Sequence, residues 1–388
     1  MRLTLVSETF WPQTNGVSKV LGRLVEYAKA RGDTVQLVIP RYKERRGNPG
    51  EVGVPSFAFP LYPEVRVPLP RPGKLWKAIQ AFGPDLIHVA TEATLGLSVL
   101  LKARGKGIPV VSSYHTNFSQ YTRHYYLGAF EKGVWNYLRW FHNQGLRTYC
   151  PSEMTRGELL DHGFKNVEVW ARGVEVALYS PSRRSEEIRG QLKLASDDVL
   201  AVYVGRLAKE KNLPLLLRVF QRAKQRIANL QLLLVGDGPI RKTVESQAPP
   251  GVHCVGYKRG EDLAAHFASG DLFLFPSVTE TFGNVVLEAL ACGLPVVGFE
   301  AGGVPHSVHH GENGLLAPLN DEETFQEHFE GLCRDSQRRS QMAKAARAYA
   351  ETQTWGNIFS GLFASYETVL KTFQADRTTK EQAGTSEE

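Results

Sequence analysis

Short runs of β-branched and aliphatic residues alternate along the chain with longer stretches whose apolar residues recur every three or four positions. In the first half, the runs Arg2–Ser7, Thr34–Ile39, Val54–Phe59, Asp85–Ala90, Val110–Tyr114 and Val167–Trp170 predict strands. The periodic stretches Val17–Arg31, Leu75–Phe82, Thr94–Arg104, Phe130–Gly145 and Ser152–His162 predict helices. Such alternation implies right-handed parallel crossovers and a doubly wound sheet. From Arg172 to Asp198 the rhythm breaks, with Ser180-Pro181-Ser182-Arg183-Arg184 opening a charged, weakly periodic link. It then restarts: strands over Val199–Val204, Gln231–Val235, Val252–Val255, Asp271–Phe275 and Pro295–Phe299. The helices between them are expected near Pro214–Ile227, from Pro239, near Glu261–Ala268 and over Gly283–Cys292. The expected fold class is therefore α/β, with two Rossmann-like doubly wound domains facing each other. Ligands of such sheets bind outside the carboxyl ends of the strands, here in the cleft between the domains. A helical tail over Ala343–Phe373 precedes a polar stretch, residues 376–388, whose composition predicts disorder.

The bulk properties agree with a two-domain soluble protein. A chain of 388 residues exceeds what one core usually supports. No apolar run approaches the ~20 residues needed to span a bilayer, and the short apolar run of the first seven residues is expected to be a buried strand rather than a signal peptide. Cys150, Cys254, Cys292 and Cys333 are scattered, which suggests neither a zinc site nor a disulfide framework and points to the cytoplasm. A net charge of +6 suits anionic membrane surfaces and nucleotide phosphates. Basic residues gather in the first half, at Arg41, Lys43, Arg45 and Arg46 and again at Arg66, Arg71, Lys74 and Lys77. No nucleic-acid motif accompanies them, so no nucleic-acid partner is expected.

Several chemistries are missing. There is no G-x-G-x-x-G after a strand, no Walker loop, no H-E-x-x-H and no G-x-S-x-G. Gly236-Asp237-Gly238-Pro239 follows a strand but lacks the third glycine. Nor is there a D-x-D pair, so no metal and no cofactor is expected.

Four segments carry positive signals. In Thr279-Glu280-Thr281-Phe282-Gly283-Asn284, the backbone from Phe282 to Asn284 forms a helix N-terminus able to hold anions and hydroxyls. Glu288 follows inside that helix, where a carboxylate wants donors such as ribose hydroxyls. The same residues also fit a capped helix with a salt-bridged glutamate. In Gly205-Arg206-Leu207-Ala208-Lys209-Glu210-Lys211, Arg206 can fork two phosphate oxygens and Lys211 supplies a point charge. Two such cations could neutralise a leaving diphosphate without a metal; a solvated basic loop is the alternative. Gln13-Thr14-Asn15-Gly16 can present a backbone amide to a phosphate, or be an ordinary turn. His115, in Tyr114-His115-Thr116-Asn117-Phe118, can bond a substrate hydroxyl or be structural.

Together these residues resemble the retaining, GT-B-fold glycosyltransferases of family 4, over nearly the whole chain. The family's E-x7-E pair is met by Glu280 and Glu288, in order with Asn15-Gly16, His115 and Gly205-Arg206…Lys211. The resemblance implies that Glu280, Thr281, Phe282, Gly283 and Asn284 contact the donor sugar and Glu288 the nucleotide ribose. It implies that Gly205, Arg206 and Lys211 hold the diphosphate, with Gly16 facing it from the other domain and His115 near the reacting face. His115, Glu280, Arg206 and Lys211 are the expected catalytic residues, and the base pocket is expected around Gly256-Tyr257-Lys258. Family chemistry retains the anomeric configuration without requiring a covalent enzyme intermediate, and the departing diphosphate helps take the acceptor's proton. Unlike retaining glycosidases, it needs no second carboxylate as nucleophile.

Tyr62-Pro63-Glu64-Val65-Arg66, Tyr114–Phe118 and Ala171-Arg172-Gly173-Val174-Glu175 are most similar to the branch that glycosylates membrane lipids. That branch includes GDP-mannose-dependent α-mannosyltransferases and sulfoquinovosyl-diacylglycerol synthases; its usual Arg-Gly-Val-Asp departs here to Arg172-Gly173-Val174-Glu175. The implied reaction moves a hexose from a nucleotide-sugar, GDP-mannose before UDP-glucose, to a lipid or lipid-linked glycan. Acceptor-side contacts are expected from Tyr62, Arg66, Trp76 and Tyr114. Tyr62, Leu69, Leu75 and Trp76 interleaved with basic residues suit peripheral contact with an anionic membrane at its inner face; a solvated loop and amphipathic helix is the other reading. The domains are expected at 1–172 and 173–355, with a C-terminal helix over 356–375 packing back on the first. A nucleotide-sugar isomerase (epimerase) on the same fold, and a non-catalytic sugar-nucleotide or lipid-binding protein, remain as rival readings.

Overall fold

A computed structural model describes residues 1–13, 15–42, 49–59, 62–115 and 128–384. The chain divides into two compact units, Met1–Ala171 with Ile358–Glu388, and Arg172–Asn357.

The first unit opens with β1 (Arg2–Val6), α1 (Gly16–Ala30), β2 (Thr34–Pro40) and β3 (Glu51–Val54). An antiparallel ribbon, β4 (Ser56–Phe59) with β5 (Tyr62–Pro68), precedes α2 (Pro72–Phe82). Then come β6 (Leu86–Val89), α3 (Thr94–Arg104), β7 (Val110–Ser113), α4 (Gly128–His142), β8 (Arg147–Cys150), α5 (Glu153–Asp161) and β9 (Val167–Val169). Seven strands form one sheet in the order β3-β2-β1-β6-β7-β8-β9, and every pairing in it is parallel. β6 is buried throughout, as a strand covered on both faces must be.

The run Val54–Phe59, expected as one strand, is two. Pro55 has no amide hydrogen to extend a ladder, so β3 ends at Val54 and β4 pairs away from the main sheet. A second correction concerns α2. Leu75, Trp76 and Ile79 are buried against Val38, Ile87 and Val89, so Leu75 and Trp76 do not belong to a lipid-facing surface. Their i, i+1, i+4 spacing puts them on the sheet side, while Arg71, Lys74 and Lys77 are exposed.

The second unit begins with α6 (Glu186–Gln191), inside the stretch read as a link. It continues through β10 (Val199–Val204), α7 (Leu213–Arg226), β11 (Leu230–Val235), α8 (Arg241–Gln247), β12 (Val252–Gly256), α9 (Gly260–Ala268) and β13 (Leu272–Phe275). After these come α10 (Asn284–Ala291), β14 (Val296–Phe299), α11 (Val304–Ser307), β15 (Gly314–Ala317), α12 (Glu322–Arg334) and α13 (Ser336–Thr352). Its six strands lie in the order β12-β11-β10-β13-β14-β15, all parallel. On α7, Leu213, Leu216, Val219, Phe220 and Ala223 follow one helical face into the core. Burying each large aliphatic or aromatic side chain of this kind contributes roughly 1.5–3 kcal/mol.

The last helix, α14 (Trp355–Gly384), belongs from Ile358 onward with the first unit. Its Phe359 and Phe363 pack on Tyr27 of α1, and Ser365 meets the Tyr149 hydroxyl at 2.8 Å and Arg147 at 2.8 Å. Tyr366 bonds Nδ1 of His88, whose Nε2 reaches Ser113. The helix continues to Gly384, into the stretch 376–388 that composition reads as disordered. Exposed Thr378 and Thr379 hydroxyls bond carbonyls one turn back, and Ala, Gln, Lys and Glu there are good helix formers. Residues 385–388 lie outside the described ones.

Both sheets reverse their strand order at one place: between β1 and β6 in the first unit, and between β10 and β13 in the second. At such a switch the connections leave to opposite sides, and a crevice opens beyond the carboxyl ends.

Candidate functional site

In the second unit the chemistry-bearing segments converge on that switch. β10 runs straight into Gly205-Arg206, and β13 into Pro276–Gly283. The Lys211 ammonium is paired with Glu280 Oε1, to which the Ser277 hydroxyl also donates at 3.4 Å. Both partners keep about a fifth of their side-chain surface open, at 18% and 22%. The pair therefore stands at the surface of the crevice and can be shared with a ligand. Arg206 is exposed, and among the described residues its guanidinium has no ion-pair partner. A cation left unneutralised beside a helix start is an anion-binding feature.

Backbone contacts hold this constellation. Buried Tyr203 donates its hydroxyl to the Arg206 carbonyl at 3.3 Å. Burial, reinforced by the charges of Glu280 and Glu210, raises the pKa of that phenol, so it stays a donor. Leu207 N bonds Asp237 O at 2.9 Å, and Ile240 N bonds Leu207 O at 3.1 Å. The glycines of Gly236-Asp237-Gly238 are explained by this contact: a Cβ on Gly236 would lie 1.9 Å from the Gly205 carbonyl oxygen, and one on Gly238 2.3 Å from that of Leu207. The motif is a support for the Arg206 loop.

Gly283, with φ of 84°, starts α10. Phe282 is buried and packs on His306 at 5.5 Å between ring centroids. Thr281 is half-buried and Asn284 exposed. Glu288 is also half-buried, on the outward face one turn after Asn284, rather than enclosed among the valines and leucines of its helix. Tyr257, beyond β12, is 65% exposed with Arg259 over its ring. A feature the sequence reading missed lies beneath Glu280. Gly303 N donates to the Glu280 carbonyl at 2.7 Å, and Gly302 and Gly303 are packed directly against the Glu280–Phe282 backbone. The consecutive glycines soon after β14 are the signal that could have shown it. Among the described residues no three or more His, Cys, Asp or Glu side chains are grouped to hold a metal ion.

The first unit holds the other candidates. Asn15 caps α1: its Oδ1 accepts from Ser18 N at 2.8 Å and its Nδ2 donates to Thr9 at 2.7 Å. A Cβ on Gly16 would meet nothing within 4 Å, so the space above it is open. His115 is half-buried beyond β7, with its ring 5.6 Å from that of Trp170. Tyr114 is 1% exposed, in a cluster with Trp135, Leu138 and Phe164. It is therefore a core residue and not an acceptor contact. Arg66 is tied to β4 by bonds to Ser56 O at 2.7 Å and Ser56 Oγ at 3.2 Å; Tyr62 contributes backbone to β5. Thr14, Lys43, Arg45, Arg46 and Thr116-Asn117-Phe118 lie outside the described residues.

Sequence reading also missed two acids at the first unit's switch, Glu8 after β1 and Glu92 after β6. Burial pushes Glu8 up to about 7. Burial, with the Glu8 charge second, pushes Glu92 up to about 8. The same unit holds His88 and His142, each pushed down to about 3 by burial. These shifts oppose each other in pH. The histidines weaken the fold as pH falls from 6.5 toward 3, because only the unfolded chain takes up their protons. The glutamates weaken it as pH rises from 4.5 toward 7 and 8, because the unfolded chain releases protons first. Across its window each group takes roughly several kcal/mol from the stability of the fold. Melting temperature is thus expected to peak between about pH 5 and about pH 6. A melting temperature that climbs steadily to about pH 8 would refute this.

With the geometry described, its relatives can be placed. Residues 184–349 match the family model described as glycosyl transferases group 1, and residues 14–178 match that of glycosyltransferase family 4. The GDP-mannose-dependent alpha-mannosyltransferase of Corynebacterium glutamicum is 32% identical over 377 residues, covering 95% of this chain and 89% of that protein. The sulfoquinovosyl transferase SQD2 of Arabidopsis thaliana is 30% identical over 356 residues, covering 88% and 68%. Among solved structures, Anabaena HepE in complex with UDP and glucose superposes with a TM-score of 0.70 at 20% identity, covering 95% of this chain and 100% of that one. Likeness at that identity shows the fold, two Rossmann-like parallel sheets of GT-B type.

Proposed function

The chain belongs to glycosyltransferase family 4, whose members retain the anomeric configuration, and we propose that it transfers a hexose from a nucleotide-sugar to a lipid or lipid-linked glycan acceptor. GDP-mannose is the preferred donor, with UDP-glucose next. The observation that carries the donor site is the Lys211–Glu280 pair standing beside unneutralised Arg206 at the switch of the second sheet. Support for GDP-mannose comes from the name of the 32%-identical relative that matches almost the whole chain; lipid acceptors follow the sulfoquinovosyl transferase and the alpha-monoglucosyldiacylglycerol synthases.

Arg206 and Lys211 bind the diphosphate and offset the charge that grows on it as the sugar departs. Glu280 accepts hydroxyls of the hexose, while the amides at the start of α10 donate to its other side. Glu288, on the outward face of α10, accepts from the ribose. The departing diphosphate takes the acceptor's proton, so no carboxylate nucleophile is used.

Two cations at the diphosphate also make a metal unnecessary. EDTA is expected to leave the transfer rate unchanged; loss of activity restored by Mn²⁺ or Mg²⁺ would refute this. A peripheral membrane contact is proposed for exposed Leu69 and Phe57 with Arg71, Lys74 and Lys77.

The test is incubation of the protein with GDP-mannose and dioleoylglycerol in phosphatidylglycerol vesicles, with the product read by NMR. An α-linked mannolipid supports the proposal, and lower activity in phosphatidylcholine vesicles supports the membrane contact. Nucleotide release that needs no acceptor and yields an isomerised sugar would favour an epimerase. Donor binding without turnover would favour a non-catalytic protein.

A further inference from the structure

One residue of the candidate donor loop stands in a conformation that few side chains tolerate. Among the described residues four non-glycine positions have a left-handed backbone: Asn166, Lys193, Asn212 and Asn320. Only Asn212 adjoins the donor-site pair, directly after Lys211. With φ of 54° and ψ of 37°, it closes the 3₁₀ turn Lys209–Lys211 and opens α7 at the same time. Within the turn, Lys211 N bonds Ala208 O at 3.0 Å and Asn212 N bonds Lys209 O at 3.2 Å. In the helix, Leu216 N bonds Asn212 O at 3.3 Å.

The chain is anchored on both sides of this point. Leu207 and Ala208 are buried before it, and Leu213 is buried after it. Residues 209–212 therefore bridge two fixed positions, and Lys211 among them must reach Glu280. A right-handed residue at 212 would fuse the turn and α7 into one helix. The direction of Lys211 would then follow from Leu213 by the helical rotation of about 100° per residue. A left-handed residue breaks that rotation, so Lys211 takes its direction from the turn instead. Asn212 supplies no side-chain bond to the start of α7, so capping does not account for it. Glycine adopts this conformation freely, asparagine more readily than most, and a β-branched residue least.

We propose that Asn212 is a positioning residue for the transfer: its left-handed backbone, and not its side-chain amide, aims the Lys211 ammonium at Glu280 and the diphosphate. The inference rests on the transferase reading above. Asn212 touches no reacting atom in it and acts through Lys211.

The test uses the full chain, GDP-mannose, and dioleoylglycerol in phosphatidylglycerol vesicles, and reads kcat, donor KM and melting temperature. Asn212→Val is expected to lower kcat about tenfold or more, because Lys211 is displaced. Asn212→Ala, a milder change that keeps the protein folded, should fall between Asn212→Val and wild type. Asn212→Gly loses the amide but keeps the conformation, and should stay within about twofold of the wild-type kcat. Asn320, also left-handed with φ of 63°, lies before α12 in the same unit. Asn320→Val should therefore lower the melting temperature as Asn212→Val does, with kcat within about twofold of wild type. In a Lys211→Ala background, Asn212→Val should change kcat by less than about twofold, since the group it positions is gone. Loss of activity in Asn212→Gly would overturn the proposal, because the amide would then be the working group. So would wild-type kcat in Asn212→Val and Asn212→Ala, or a full further loss from Asn212→Val in the Lys211→Ala background, which a merely structural role predicts. If the wild type neither transfers nor hydrolyses the donor, the transferase reading fails first and the positioning role falls with it.

Discussion

Replacing Lys211 by alanine is expected to lower kcat for transfer by about 10²–10³-fold while the protein remains folded. Removing one preorganised donor from a site of developing charge has an effect of that size. Lys211 is a side chain with only 18% of its surface open, held by Glu280, so it is already placed when the donor arrives. The stability effect is smaller, because a partly exposed pair is worth about 1 kcal/mol. That corresponds to roughly 2–4 °C in Tm for a unit of this size. Lys211→Arg keeps the charge but spreads it over a planar fork, and should recover only part of the rate. The double variant Lys211→Ala/Glu280→Ala should be far less impaired than the product of the single effects, since both side chains act on one ligand. A fall of less than about threefold for Lys211→Ala would remove Lys211 from the diphosphate site.

The second large effect comes from a residue that touches no ligand. Gly303→Ala would set a Cβ 2.4 Å from Phe282 Cα and 2.5 Å from the Thr281 carbonyl oxygen. Neither neighbour is the end of a flexible side chain, so the backbone carrying Glu280 and Phe282 must move. A displacement approaching 1 Å of a positioning segment can cost about 10²-fold in rate. Strain of this kind also costs about 1–3 kcal/mol of stability. The control is Gly190→Ala in α6 of the same unit, where an added Cβ meets nothing within 4 Å; that change should leave both rate and Tm unaffected or slightly raise the latter. A Gly303→Ala protein with wild-type kinetics would show that the Glu280 segment does not need its support.

Much of the architecture is readable in the sequence because buried parallel strands are written as unbroken apolar runs. β10 was expected over the same residues, Val199–Val204, and β11, β13 and β14 within one residue at their starts. The strands that escaped, β5, β8 and β15, lack that mark. β8 reads Arg-Thr-Tyr-Cys and β15 is four residues following Asn313, too short and too mixed to stand out from turns. α12 was missed although its burial is strongly one-sided.

The candidate donor loop was legible for a different reason: its residues are contiguous, and the Glu280–Glu288 spacing can be seen in one line. What supports it could not be seen, since Gly302 and Gly303 meet Glu280 only through the fold. Glu8 and Glu92 are hidden in the same way; Glu8 bonds Thr91 across 83 positions of sequence. Trp76 and Tyr114 show the opposite failure. Trp76 among basic residues and Tyr114 beside His115 look like parts of a binding surface, and only their burial in the fold shows that both are core.

The donor site can be tested most directly by titration calorimetry of GDP-mannose and UDP-glucose against wild type, Lys211→Ala and Glu280→Ala. At least one of the two sugar nucleotides is expected to bind the wild type, with affinity lowered tenfold or more, about 1.4 kcal/mol, in each variant. Equal affinity in all three proteins, or no binding of either compound by the wild type, would contradict it.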